Sequence, residues 1–230
     1  MDPVKIKRTT FVQALAEFAA KVHALTTKAV DHRSYVLVET LRTWLRDPSS
    51  AKLDDKFVTN TDLLLHAAYF GKSHFPPIEP SRISDRGNDC CIVVFSILLD
   101  LELGHLIDSF SRKGITDRRL PEDLSSLTEK LRDLHNGNRV AERFNQRQWK
   151  FCPVVFSQHM EKDYFEAHII PICRQSEPNS GGTAKVRQIV VQAQFVEEPL
   201  RRMLEDDPFT SYDDEEFGHV SPSVSQSSFW

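Results

Sequence analysis

Asn88–Pro121 reads NDCCIVVFSILLDLELGHLIDSFSRKGITDRRLP, and its apolar pattern is the strongest structural signal in the chain. It opens with the most apolar run in the chain, Cys90–Leu99, and continues through Leu101, Leu103, Leu106, Ile107 and Phe110. Gly114 follows the last periodic residue, with Arg112 and Lys113 just before it. That is a helix C-terminus, because glycine accepts the left-handed backbone and cations suit the negative end of the helix dipole. The pattern predicts two core helices joined near Leu103-Gly104, with the remaining chain packed around them. Cys90–Leu99 has about half of the roughly twenty residues that a membrane-spanning helix needs, so it reads as a core segment.

The 230 residues are enough for one large domain, or a domain with a small second unit, and for a substantial core. A net charge of -4 steers the chain toward neither nucleic acid nor membrane. Four cysteines, Cys90 and Cys91 adjacent, are too few for a disulfide framework in a chain of this size. The opening Met-Asp-Pro-Val-Lys shows no signal-peptide pattern, and a reducing, cytoplasmic setting is expected.

Working outward, Thr10-Phe-Val-Gln13 fits a capping box, and Phe11, Leu15, Phe18, Val22 and Leu25 recur on one helical stripe. A membrane-lying amphipathic helix is the alternative, but a Lys/Arg-rich polar face is missing, so core packing is preferred. Asp31–Arg46 is a second helix, ended by Asp47-Pro48. Pro48–Asn60 reads as a polar connection with at most a turn of helix, and Thr61–Phe70 as a third helix closed by Gly71. Pro76, Pro77 and Pro80 make Ser73–Asn88 a surface loop.

After Pro121, Leu124, Leu127, Leu131 and Leu134 give a helix with a capping box at Ser126-Leu-Thr-Glu129. Asn136-Gly137-Asn138 is a break, and Arg139–Trp149 a shorter helix with Val140, Ala141 and Phe144 inward. Val154-Val155-Phe156, Ile169–Cys173 and Val186–Val191 are short and β-branched, with a hairpin over Ile169–Val191 and a short helix over Glu197–Leu204. From Glu205 the tail is acidic and then Ser-rich, a composition with too little apolar surface to offset ordering entropy, and it is expected to be disordered.

Few stretches of the chain carry residues arranged for chemistry. Ser180-Gly181-Gly182-Thr183 lies between two candidate strands but matches no phosphate-loop pattern, and by itself reads as a hairpin turn. Cys152, His159, His168 and Cys173 lack the close pairing that places two metal ligands on one turn. Cys90 and Cys91 begin an apolar run, which raises a thiol pKa and opposes nucleophilic use. Arg139, Arg143 and Arg147 fall at i, i+4 and i+8 and, continued by Lys150, form one basic stripe. It is either a solvated face or a docking surface for an acidic partner segment or the chain's own acidic tail; interleaved aromatics for RNA are lacking.

CCIVVFSILLDLELGHLIDSF, GITDRRLPEDLSSLTEKL, RFNQRQWKFCPVVF and HIIPICRQ…GGTAKVRQIVVQAQFV, in that order, resemble the N-terminal region of fungal kinase-like proteins, where a helical module precedes a divergent kinase domain. The resemblance covers roughly 82–196. It implies that Ile169–Cys173 and Val186–Val191 are similar to the first strands of a kinase small lobe, with Gly181 and Gly182 as a degenerate Gly-rich loop. The third-strand Lys, the catalytic-loop Asp and the metal-binding Asp-Phe-Gly of phosphoryl transfer are not in this chain.

The expected fold is therefore mainly α with a small β-hairpin-containing C-terminal segment (α+β): a bundle-like helical domain over 1–150, a β-containing segment over 151–204 and a tail over 205–230. The expected function is a non-catalytic interaction or regulatory module without a cofactor. Alternatives are a truncated kinase-like protein with residual nucleotide binding and a membrane-acting helical domain. A protein partner is expected, with Arg139, Arg143, Arg147 and Lys150 as its contact residues; nucleic acid is not, and membrane is disfavoured. A hairpin without the rest of its sheet leaves an edge that predicts self-association or capture of a partner strand.

Overall fold

Every residue from Ile92 to Leu99 is buried, Ser96 included, so this helix has to lie inside the molecule rather than on it. The computed structural model describes residues 3–53, 56–72, 76–84, 87, 90–158, 160, 166–176, 179–181, 184–205 and 220–227. In chain order the elements are α1 (Pro3–Ala24), β1 (Thr26–Lys28), β2 (Ser34–Val36), α2 (Val38–Arg46), β3 (Pro48–Leu53), β4 (Lys56–Thr59), α3 (Asn60–Tyr69), α4 (Pro80–Ser84), α5 (Ile92–Asp100), α6 (Ile107–Arg112), α7 (Leu124–Leu131), α8 (Gly137–Phe151), β5 (Ile172–Gln175), β6 (Asn179–Gly181), β7 (Ala184–Gln192), α9 (Glu198–Glu205) and β8 (Val220–Ser227). The fold is mainly helical with small antiparallel strand pairs. Among the described residues no helix is long and apolar enough to cross a membrane.

The described residues form two compact units, one taking those up to Leu25 with Val36–Phe151, the other Thr26–Tyr35 with those from Cys152 onward. In the first, α1 buries Phe11, Ala14, Phe18 and Val22, while Leu15 stays partly exposed. The Phe11 ring lies 5.2 Å from that of Phe70, and Phe18 packs beside Trp44. The helix already runs from Pro3, so the expected start at Thr10 is corrected: proline fits a first turn, where its missing N–H has no helical partner to lose. The α5–α6 joint is where the pattern placed it, and Gly114 carries the left-handed φ of 67°. Phe110 on α6 meets Phe144 on α8 with ring centroids 4.9 Å apart.

Four other expectations change. The second helix begins at Val38 rather than Asp31, because Ser34–Val36 pairs with Thr26–Lys28 and His32, at φ 67°, turns the chain between them. Pro48–Asn60 is not a plain connection but the β3–β4 hairpin, in which Lys52 pairs with Phe57 and places its ammonium 4.5 Å from the ring centroid. The proline-rich stretch contains α4, with Pro80 at its start and Ile83 buried. Finally, α7 is capped by Asp123, which accepts from the Ser126 N–H at 2.8 Å, and not by the Ser126–Glu129 box. The third helix does have a capping box, formed by Thr59 and Asp62.

In the second unit β7 is the central strand. β5 pairs with its Ile189–Val191 part and β6 with its Val186–Ala184 part, both antiparallel, while β8 pairs with β7 along Val186–Gln192. The hairpin over Ile169–Val191 is thus interrupted by a third short strand. Val154–Phe156 contributes a single bridge, Phe156 to Val196, instead of a strand. The core is Phe156, Ile189, Val191 and Val196, closed by Met160, Ile170, Ile172, Leu200 and Leu204. Within the tail, Val220–Ser227 is the strand β8, whose backbone groups pair with those of β7. Pro222 falls where the register shifts between Val191↔Ser221 and Ile189↔Val224, a place where a ladder N–H can be spared. The same pairing covers one edge of β7. Residues 206–219 and 228–230 lie outside the described residues.

Candidate functional site

A helix as apolar as α5 still leaves its first N–H groups without intrahelical partners, and Cys91 at its N-cap supplies them no side-chain acceptor. The cap comes instead from Asp117, in the short turn Asp117–Arg119 that follows Gly114. Its carboxylate accepts from the Val93 N–H at 2.9 and 3.1 Å and from the Val94 N–H at 3.1 Å. The Asp117 N–H donates to the Cys90 carbonyl at 2.9 Å, so the two segments are stitched in both directions. The Asp117 side chain is 6% exposed, and burial holds its carboxyl above the usual carboxylate range, against the pull of the Val93 and Val94 amides and of Arg42.

Around this carboxylate is an open pocket of about 390 Å³, lined among the described residues by Glu39, Arg42, Arg46, Gly87, Cys90, Asp117 and Arg118. Arg42 and Arg46 are one turn apart on α2. Arg42 donates to Glu39 at 2.6 Å and to Asp117 at 3.3 Å, while its Nε is buried with no hydrogen-bond partner among the described residues. Arg46 donates through Nε to the Ser84 carbonyl at 3.1 Å. Arg118 is exposed at the rim. The Cys90 thiol lies 3.4 Å from an Asp117 oxygen, and burial together with that anion raises its pKa. The carboxylate is occupied as a cap and the thiol is held protonated, so the pocket's available chemistry is that of guanidinium donors. Among the described residues no cluster of three or more His, Cys, Asp or Glu converges as metal ligation requires.

The basic stripe has a different destination. Arg143 donates to the Leu101 carbonyl at 3.0 Å and Arg147 to the Asp100 carboxylate at 2.6 Å, both at the C-terminal end of α5. Lys150 is half-buried, and that burial, with Arg147 nearby, lowers its pKa while Asp100 opposes the shift. Arg139 is exposed. A carboxylate at the first turn and two guanidiniums at the last therefore complement both ends of the α5 dipole. Gly181 pairs with Ala184 at the end of β6, and Gly182 lies outside the described residues.

Sequence reasoning missed Arg42, Arg46, Asp117 and Arg118. The i, i+4 arginines were visible as a pair, but nothing in their spacing brings Asp117 to them. No protein-family model, curated protein or solved structure was found to match the chain.

Proposed function

We propose that the chain is a non-catalytic helical interaction module that holds an anionic side chain of a protein partner in the arginine-lined pocket of its first unit. The observation that carries this reading is the imbalance inside that pocket. Among the described residues that line it, three guanidiniums face two carboxylates. Glu39 is paired with Arg42, and Asp117 is bound to the N-terminus of α5. Arg46 and Arg118 are left as the groups able to receive an anion, and arginine clusters are a recurrent means of recognising acidic and phosphorylated motifs. The assignment as non-catalytic is supported by the same groups: a carboxylate that accepts three backbone bonds and a protonated thiol are poorly placed for base or nucleophile roles. It also agrees with the role that the sequence resemblance implies.

The test is fluorescence anisotropy with short labelled peptides bearing a central glutamate cluster or a phosphoserine, at low and physiological ionic strength. Binding of either peptide, weakened by salt and abolished by the double variant Arg46→Glu/Arg118→Glu, supports the reading. Failure of both peptides, or binding that survives charge reversal, ends it.

A further inference from the structure

We infer that the group this pocket receives is a phosphate monoester on a protein segment, a phosphoserine or phosphothreonine side chain, rather than a carboxylate. The inference rests on the interaction reading above and narrows its ligand. Charge is the first argument. Glu39 and Arg42 cancel each other at 2.6 Å, and Asp117 is complemented by the positive end of α5. Among the described lining residues three guanidiniums and two carboxylates leave +1, and the positive end of α5 adds about half a charge, against the -1.5 to -2 that a phosphomonoester carries near neutral pH. A carboxylate, with a single charge, would leave part of this uncompensated.

Donor geometry gives the same answer independently. Arg46 spends its Nε on the Ser84 carbonyl, which leaves its two terminal nitrogens for the pocket. A carboxylate has two oxygens and is satisfied by one guanidinium fork, whereas a phosphate presents three oxygens and accepts from several forks together. Size is the third point. The volume of about 390 Å³ lies in the range of pockets that hold a small molecule, enough for the phosphate with its carbon stem, and the open mouth lets the bearing chain run past.

The experiment uses the full chain and three labelled peptides that differ only at the central residue of Gly-Gly-X-Gly-Gly: phosphoserine, glutamate and serine. The phosphoserine peptide is expected to bind about tenfold tighter than the glutamate peptide, with serine not binding, and inorganic phosphate is expected to compete. Arg118→Ala, at an exposed position, is expected to weaken phosphopeptide binding about fivefold to tenfold; Arg46→Ala is the second variant, with thermal melting to confirm that it folds. Equal or tighter binding of the glutamate peptide overturns phosphate selectivity and leaves the interaction reading standing. If neither anionic peptide binds, both fail. Phosphopeptide binding unchanged in Arg118→Ala and Arg46→Ala overturns the site. Binding only to vesicles containing a phosphorylated inositol headgroup overturns the peptide source.

Discussion

Asp117 caps α5 through Val93, its two carboxylate oxygens accepting from the Val93 N–H at 2.9 and 3.1 Å. A helix with no polar side chain at its start is thereby supplied with an N-cap from a turn that follows the next helix. Removing the carboxylate leaves two amides and an arginine under-satisfied in a buried place. Asp117→Ala is expected to destabilise the first unit by about 2–4 kcal/mol, and Asp117→Asn, which keeps one acceptor, by about 1–2 kcal/mol. Chemical denaturation of the three proteins at one pH measures both.

The same residue sets a pH dependence. The folded carboxyl binds its proton more tightly than the same group in the unfolded chain, because burial outweighs the amides and Arg42. Between the unfolded value of about 4 and the raised folded value, only the folded state keeps the proton, so this contribution is complete below about pH 4 and is lost as pH rises. The stability of the native protein minus that of Asp117→Asn is therefore expected to fall as pH rises above about 4. A difference that grows with pH would mean that the Val93 and Val94 amides and Arg42 win over burial.

Cys90 shares that environment. Burial and the adjacent Asp117 anion both disfavour its thiolate. Alkylation by iodoacetamide at pH 8, read site by site by mass spectrometry, is expected to be slower at Cys90 than at a free model thiol. Asp117→Asn removes the anion and should raise the Cys90 rate without needing any change in exposure.

The parts of the fold that were legible in the sequence are those whose apolar pattern exceeds what a surface would carry. Cys90–Phe110 announces α5 and α6, and Gly114 marks the end with its left-handed backbone. The β3–β4 hairpin was hidden because Ser49, Ser50, Lys52 and Lys56 give it no alternating apolar face, and its pairing is mainly backbone. The start of α2 was misplaced because the aromatic and β-branched Tyr35-Val36 continue directly into a helical pattern. The pocket was illegible for a different reason. Arg42 and Asp117 are 75 residues apart, and periodicity describes one element's face without naming the element opposite. The stripe at Arg143 and Arg147 shows this from the other side, since its spacing was read correctly while its partner, the end of α5, was not in the pattern.

That partner makes the stripe testable. Arg147 and Asp100 form a part-exposed ion pair, and Arg143 satisfies the C-cap carbonyl of Leu101. Arg143→Ala and Arg147→Ala are each expected to cost about 0.5–1.5 kcal/mol. Arg139→Ala, at an exposed position, should change stability by no more than about 0.5 kcal/mol. Thermal unfolding of the three variants distinguishes a stripe that clamps α5 from one that is merely solvated, where all three would be near neutral.

The tightest geometric demand in the first unit is at Gly137, the first residue of α8. A Cβ placed there would come 1.9 Å from the Leu131 carbonyl oxygen and 2.8 Å from its carbon, so the obstacle is backbone at the end of α7 and cannot rotate away. The preceding Asn136 takes a left-handed φ of 57°, which folds α8 back over α7 and creates that approach. Alanine normally favours a helix over glycine by about 1 kcal/mol. Here the sign should reverse, because relieving the overlap requires α7 and α8 to separate and to loosen Leu127, Leu131, Val140 and Phe144 from the core. Gly137→Ala is expected to destabilise the first unit by about 2–4 kcal/mol, within the range of overpacking and core disruption. Amide exchange should lose protection on α7 and α8 together; a neutral or stabilising Gly137→Ala would mean that the two helices do not approach this closely.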